Sequence, residues 1–450
     1  MRNLLVASAV AAALSSGAAM AVTAPTAVQA QAAAIKIYIS GSSAAKAAIK
    51  ADLAGTDWCN GNGMTTFAAG TPDFNAFSCT AAAGPFNGQT TTIYYRAEGG
   101  SVVGVLPVIN KVAIKQLDLS AAGGCPQATT GAVACVVGGT PAANGSSDSW
   151  TSGVFTPALA AQVGISDLEP KAFVGDNFPT NYTFIGPKRS ATDLKSQTLL
   201  PQNIVFQQVF GLIINNTPAG IAGVNNISTQ SVRDILTGSF TNWTSVPAAP
   251  VTTSDRTTLV SKVGAGPAVA NASTPIFLCN REAGSGTRTG TSVYFLGDEC
   301  TSTASAIASS GVDNFSTGDE ITCVQNHPGA IGYVSIDKQA GLPAGVAPLA
   351  IDGVMPTNTK AALGQYTWVY EASMQLNPSA DANNTAFYNY YFPKLQALAT
   401  APQSAQVNVV PFIGSTTGNT PGLPLTVSGA INVSNYTRSG DSCTALAEQY

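Results

Sequence analysis

The chain has 450 residues, of which only 10% are charged, and its formal net charge is −4. That balance excludes the basic footprint of a nucleic-acid binder. A single histidine and the absence of any Cys-x-x-Cys pair argue against a histidine-ligated or structural zinc centre.

The elements are taken from the N-terminus. Arg2 is the only charge before Lys36, Leu4 to Ala21 is rich in Ala, Val and Leu, and Ala-Val-Gln-Ala stands at 27–30. A basic start, an apolar stretch and an A-x-A-like site predict a signal peptide over 1–30, cut near Ala30 or Ala32. No cysteine sits there to carry a lipid, and no later run of about 20 apolar residues predicts a membrane span. The mature protein is expected in the periplasm or outside the cell. Eight cysteines agree with an oxidising compartment. Close spacing favours Cys59–Cys79 and Cys125–Cys135 as local staples. Cys279, Cys300, Cys323 and Cys443 allow three pairings.

Ile35 to Ile39 alternates and is β-branched, which predicts a strand. Ser40-Gly-Ser-Ser43 follows, then an Ala-rich helix to about Leu53, capped by Ser42 or Ser43. Residues 55–90 read as a stapled loop. Thr91 to Arg96 reads as a strand running into Glu98-Gly-Gly-Ser101, after which Val102 to Val108 opens a helix or tight turn. Residues 120–153 read as an insertion, and Gln162 to Asp167 as a short strand ending on Ser-Asp.

Val205 to Asn215 is a long apolar strand candidate. Ser228 to Leu236 reads as an amphipathic helix capped by Ser228 or Thr229. "FLCNREAGSGTRTGTSVYFLG" (277–297) reads as strand, turn, helix. His327 to Ile336 is a turn feeding a strand, with His327 a loop residue. Residues 337–365 read as connection. Tyr366 to Leu376 and a helix around Ala386 to Ala399 complete the ordered part. Strands alternating with helices predict an α/β fold with parallel or mixed sheets.

Three polar turns share one logic. Gly284-Ser-Gly-Thr287, Gly41-Ser-Ser43 and Gly100-Ser101 each follow a strand and open a helix or turn. Hydroxyls and unpaired N–H groups at a helix start favour an anion. Arg281 adds a planar two-pronged donor. Ligands of open α/β sheets bind at that carboxyl edge. Each turn read singly is also an ordinary helix cap.

Together these residues resemble the phosphate-binding proteins of bacterial phosphate ABC transporters, in the type II periplasmic-binding-protein superfamily. Arg281-x-x-x-Ser285-Gly286-Thr287 before a helix carries most of the resemblance. "LTGSFTNW" (236–243), "PGAIGYV" (328–334), "GSS" (41–43), "GGS" (99–101) and "GISDLEP" (164–170) follow in the family's order. The resemblance covers most of residues 35–375. It implies a two-lobed fold with a hinge and a central cleft: lobe 1 over 33–204 and 340–450, lobe 2 over 205–339. It implies phosphate binding by Ser43, Ser101, Asp167, Arg281, Ser285, Gly286 and Thr287, without catalysis, cofactor or metal, and a permease as partner. Asp167 would accept the proton of hydrogen phosphate and so reject sulfate. The sequence departs from the family in its two cysteine-bearing insertions, its C-terminal extension and its few charges. These departures admit a second reading, an exported structural or surface protein built on the same scaffold.

Two other motifs lead elsewhere. Ser43-Ala-Ala-Lys46 fits S-x-x-K, but no Ser-Asp-Asn or Lys-Thr-Gly follows, and Lys46 is expected to face solvent. The turn at 284–291 is similar to a P-loop but lacks its lysine.

Overall fold

The computed structural model describes residues 23–136, 159–179, 204–247, 274–298, 307–396 and 436–448, with short gaps, and a few two-residue strands beyond them. Most of the predicted signal peptide lies outside the described residues. The helix α1 (Ala27–Gln31), capped by Thr26, is inside them. Ala27 and Ala30 are buried with Phe67, Phe74 and Tyr94, and the Ala30 carbonyl accepts from Thr92 Oγ1 at 2.7 Å. The expected cut near Ala30 or Ala32 therefore falls within or just after a packed helix.

The first lobe starts with β1 (Ile35–Gly41), whose Ile35, Ile37 and Ile39 face the core. Helix α2 (Lys46–Ala54) follows and buries Ala48, Ile49 and Leu53. The stretch expected to be a stapled loop instead contains β2 (Thr65–Ala68) and β3 (Phe74–Thr80), an antiparallel pair within the main sheet. Thr, Phe and Asn alternate there beneath the Gly-rich composition, and β-branched and aromatic side chains suit a pleated, half-buried surface. β4 (Thr90–Arg96) runs parallel to β1. A 3-10 turn (Ser101–Gly104) leads into α3 (Leu106–Asn110). The expected second insertion also joins the sheet, since β5 (Ala132–Ala134) pairs with β2. β6 (Val163–Ser166) runs parallel to β1 and ends at Asp167.

β7 (Ile204–Asn215) is buried along all twelve residues, as a strand covered on both faces must be. Its end enters the second lobe. There Ser228 caps α4 (Thr229–Leu236), accepting from the Ser231 amide. β8 (Phe277–Arg281) leads through the glycine turn into α5 (Gly286–Thr291). β9 (Val312–Asn314), α6 (Thr317–Asn326), β10 (Ala330–Ser335) and β11 (Val346–Ile351) follow. β12 (Val369–Leu376) returns to the first lobe, and α7 (Ala382–Gln396) packs Phe387, Tyr391 and Leu395 on that sheet. Those three residues recur at helical spacing, each worth about 1.5–3 kcal/mol of apolar burial.

The strand order is β9-β8-β10-β7-β12-β6-β1-β4-β3-β2-β5. β7 and β12 are antiparallel and are the two crossings. The first half of β7 pairs with β12. Its second half lies between β10 and β11. β11 thus sits beside the second-lobe end of β7, although 337–365 read as connection and the return was expected at 340. The change of lobe falls at β12. The two largest hydrophobic clusters among the described residues lie mainly on opposite sides of the crossings.

Disulfides join Cys59 to Cys79 and Cys125 to Cys135, the two local staples. A third joins Cys279 to Cys323, tying β8 to α6. Cys443 is disulfide-bonded as well. Among the described residues no helix is long and apolar enough to cross a membrane.

Candidate functional site: a buried arginine facing a serine-aspartate cluster

Close backbone packing creates the first-lobe half of the site. A Cβ on Gly104 would lie 2.0 Å from the Ile165 carbonyl oxygen, and one on Gly164 would lie 1.7 Å from the Gly104 carbonyl oxygen. Only glycine lets the 3-10 turn rest directly on β6. That contact sets Ser101 beside Asp167. The Ser101 hydroxyl donates to Asp167 Oδ2 at 2.8 Å and accepts from the Asp167 amide at 3.0 Å. Ser42 donates to Asp167 Oδ1 and accepts from the Ala45 amide at 2.9 Å. Asp167 is buried, and burial raises its carboxyl to about 6, against the opposing effects of Ser42, Ser101 and the Arg281 charge.

The second-lobe half begins at the end of β8. Arg281 is fully buried. Its Nε donates to the Asn314 carbonyl, its Nη1 to Thr317 Oγ1 and its Nη2 to the Phe315 carbonyl, each at 3.1 Å. All three acceptors are neutral, and a guanidinium has five N–H donors, so two remain. Among the described residues no ion pair forms with Arg281. Its amide donates to the Tyr333 hydroxyl at 3.1 Å. Behind it lies Glu320 of α6, fully buried, which accepts from the Tyr333 amide at 2.7 Å. Burial raises Glu320 to about 8, opposed by the Arg281 charge.

Ser285 caps α5, its hydroxyl accepting from the Arg288 amide at 3.3 Å. Gly286 and Thr287 form its first turn and are buried. Arg288 turns back to the Arg281 carbonyl at 2.9 Å and to Asp313 at 3.4 Å.

The lobes touch at this point. The Val102 amide donates to the Gly284 carbonyl at 3.0 Å, and the Gly284 amide to the Asn177 carbonyl at 2.9 Å. A Cβ on Gly286 would lie 2.4 Å from Ser101 Oγ and 2.6 Å from Asp167 Oδ2.

Of the seven residues singled out in the sequence, Ser101, Asp167 and Gly286 meet directly. Ser285 adjoins them, its Cα being one of the atoms a Cβ on Gly100 would strike, at 2.8 Å. Arg281 approaches from below, and its charge acts on Asp167. Ser43 takes a different position: its hydroxyl lies 3.3 Å from Thr317 Oγ1, across the cleft. Ser42 holds Asp167 instead, and sequence reasoning named it only as a cap. Thr317 was missed as well. Its signal was the capping pattern at the start of α6, where Ser316 and Asp319 bond reciprocally.

The other candidates settle elsewhere. Lys46 is paired with Asp73 at 2.5 Å and half-buried, so it does not project freely into solvent. His327 stacks on Phe277 with ring centres 3.9 Å apart and contacts the Cys323 carbonyl through Nδ1 at 2.8 Å. Two clusters have metal-ligand spacing, Cys279/Cys323/His327 and Glu169/Asp441/Cys443. In each the cysteine sulfurs are already disulfide-bonded.

Residues 200–392 match a family model described as a PBP superfamily domain. No curated protein matches the chain. Similar solved structures include the high-affinity periplasmic phosphate-binding protein PfluDING bound with phosphate, at 11% identity and TM-score 0.43, covering 84% of this chain and 90% of that one. PstS from Borrelia burgdorferi shows 14% identity and TM-score 0.33, covering 79% and 92%. An ABC-type phosphate transport receptor from Vibrio cholerae shows 18% identity and TM-score 0.30, covering 43% and 68%. The domain match and the two-crossing topology together define a two-lobed type II periplasmic-binding-protein fold.

Proposed function

We propose that this chain, whose residues 200–392 match a PBP superfamily domain, is an exported solute-binding protein that takes inorganic phosphate between its lobes without catalysing a reaction. One observation carries the reading. Arg281 is a fully buried cation whose guanidinium bonds all end on neutral oxygens. Such a charge is costly unless an anion compensates it. Its two remaining N–H groups suit two oxygens of a tetrahedral oxyanion. The α5 turn (Ser285, Gly286, Thr287) supplies further donors, Ser43 supplies a hydroxyl, and Ser101 would turn its hydroxyl from Asp167 to the anion.

Asp167 supports phosphate over sulfate. Its carboxylate accepts a proton that hydrogen phosphate can donate and sulfate at neutral pH cannot. A sulfate would leave two buried negative groups in contact. Delivery to an ABC-transporter permease belongs to the same proposal.

Calorimetric titration of refolded, phosphate-stripped protein tests it. Phosphate is expected to bind with micromolar or tighter affinity and sulfate to give no heat. A folded protein that binds neither anion would overturn the reading.

A further inference from the structure

A second feature of the cleft is a cavity of about 220 Å³ beside the arginine site. Its walls come from both lobes. The first lobe contributes Ser43, Lys46, Asp73 and Asn75; the second contributes Thr317 and Lys338. Two of its wall residues, Ser43 and Thr317, adjoin the anion site. Thr317 takes the Arg281 Nη1 bond at 3.1 Å, and its hydroxyl lies 3.3 Å from that of Ser43. Thr317 therefore both touches the guanidinium and walls the cavity.

The wall chemistry is mixed and nearly neutral. Lys46 is paired with Asp73 at 2.5 Å, and Lys338 with Asp337 at 2.6 Å. Asp73 Oδ1 takes Lys46 and the Asn75 amide, the latter at 2.8 Å, and Oδ2 is left as an acceptor. Three hydroxyls (Ser43, Ser316 and Thr317), an amide, two ammonium groups and a carboxylate supply donors and acceptors together. That set suits alcohol groups, which both donate and accept. It suits a second phosphoryl group poorly, because Asp73 would face it. The volume holds several waters, or an arm of a few heavy atoms.

We propose that the cleft also accepts small phosphate monoesters, with the phosphoryl group at Arg281 and a short hydroxylated arm that parts the Ser43–Thr317 hydroxyl pair and takes over its hydrogen bonds to enter this cavity. The inference rests on the phosphate reading above and names a wider ligand class for the same cleft. The cavity exists because the cysteine-stapled pair β2–β3 was folded into the sheet: Asp73 and Asn75 stand at the start of β3. A segment that read as an insertion thus builds the wall of the cleft.

Titration of the stripped, refolded full chain with inorganic phosphate, glycerol 3-phosphate and inorganic diphosphate tests the proposal. Glycerol 3-phosphate is expected to bind within tenfold of phosphate and more tightly than diphosphate. Two variants place the arm. Asn75→Leu removes the amide and makes the wall apolar. Gly318→Phe narrows the cavity from α6, at a position where a Cβ would meet only Ser316 Oγ, at 3.5 Å. Each is expected to weaken the ester at least tenfold and leave phosphate within twofold. Phosphate binding with an ester more than tenfold weaker overturns this inference alone, as does equal weakening of both ligands by both variants. Diphosphate binding more tightly than the ester overturns the hydroxylated class. Failure of all three ligands removes the phosphate reading, and this one with it.

Discussion

Asp167 and Gly286 meet across the cleft, so close that a Cβ on the glycine would lie 2.6 Å from the aspartate Oδ2 and 2.8 Å from its Cβ. One residue ends a strand of the first lobe, and the other opens a helix of the second. Their approach defines the closed arrangement. Gly286→Ala is expected to hold the lobes apart and lower phosphate affinity at least tenfold. Small-angle scattering with and without phosphate would show the lost compaction. Unchanged affinity and compaction would reject this contact as the limit on closure.

Arg281 gives the most direct test of the site. Arg281→Ala removes the buried cation, and losing one partner of such a charge pair costs about 2–5 kcal/mol. Phosphate affinity should fall by about 30-fold or more. The same calorimetric titration measures it, and a loss under threefold would remove Arg281 from the binding set.

The Asp167 carboxyl gives a pH prediction. Its value in the folded protein is raised from 3.8 to about 6, mainly by burial. Between those values the folded protein holds a proton that the unfolded chain has lost. Stability from this group therefore falls as pH rises from 3.8 through 6, by about 3 kcal/mol at 1.36 kcal/mol per unit. Asp167→Asn does not titrate. Its unliganded melting temperature, relative to the parent, should be higher at pH 7.5 than at pH 4. A difference independent of pH would contradict a raised carboxyl. The same variant should weaken phosphate while reducing discrimination against sulfate.

A second carboxyl controls the C-terminal segment. Glu169 Oε1 accepts from the Ser442 amide at 2.5 Å, and Lys171 pairs with Asp441 at 2.8 Å. Burial first, and the Asp441 charge second, raise Glu169 to about 8. A raised acid contributes stability below its unfolded value and loses it as pH climbs through its folded one. Docking of 436–448 should loosen as pH rises from about 4.5 to about 8. Hydrogen exchange, corrected for its intrinsic pH dependence, should show more rapid exchange there at the higher pH. Glu169→Gln should flatten the response.

The mature N-terminus is expected to precede Thr26. A cut after Ala30 would delete Ala27 and Ala30 from their buried positions and remove the acceptor of the Thr92 hydroxyl. Ala19-Met-Ala21 offers an earlier small-residue site. N-terminal sequencing of exported protein decides between them, and a start at residue 31 or 33 would refute this expectation.

The order of strands, turns and helices around the site could be read from the sequence alone. Ile35 to Ile39, Val205 to Asn215 and the turn at 284–287 announce themselves by β-branched alternation, a long apolar run and glycine beside hydroxyls. Those are local properties, set by backbone sterics and by which face must be dry. The two short-range disulfides are local in the same sense. The tertiary structure decided what no spacing encodes. It selected Ser42 over Ser43 as the partner of Asp167, because Gly41 packs on the end of β6, where a Cβ would lie 1.9 Å from the Ile165 carbonyl oxygen, and the Ser42 amide donates to that oxygen at 2.9 Å. It brought Thr317, thirty-six residues from Arg281, onto the guanidinium. It placed β11 with the second lobe and drew the Gly-rich cysteine segments into the sheet. These outcomes depend on contacts between residues distant in the chain, whose cost and reward appear only when the two lobes are packed.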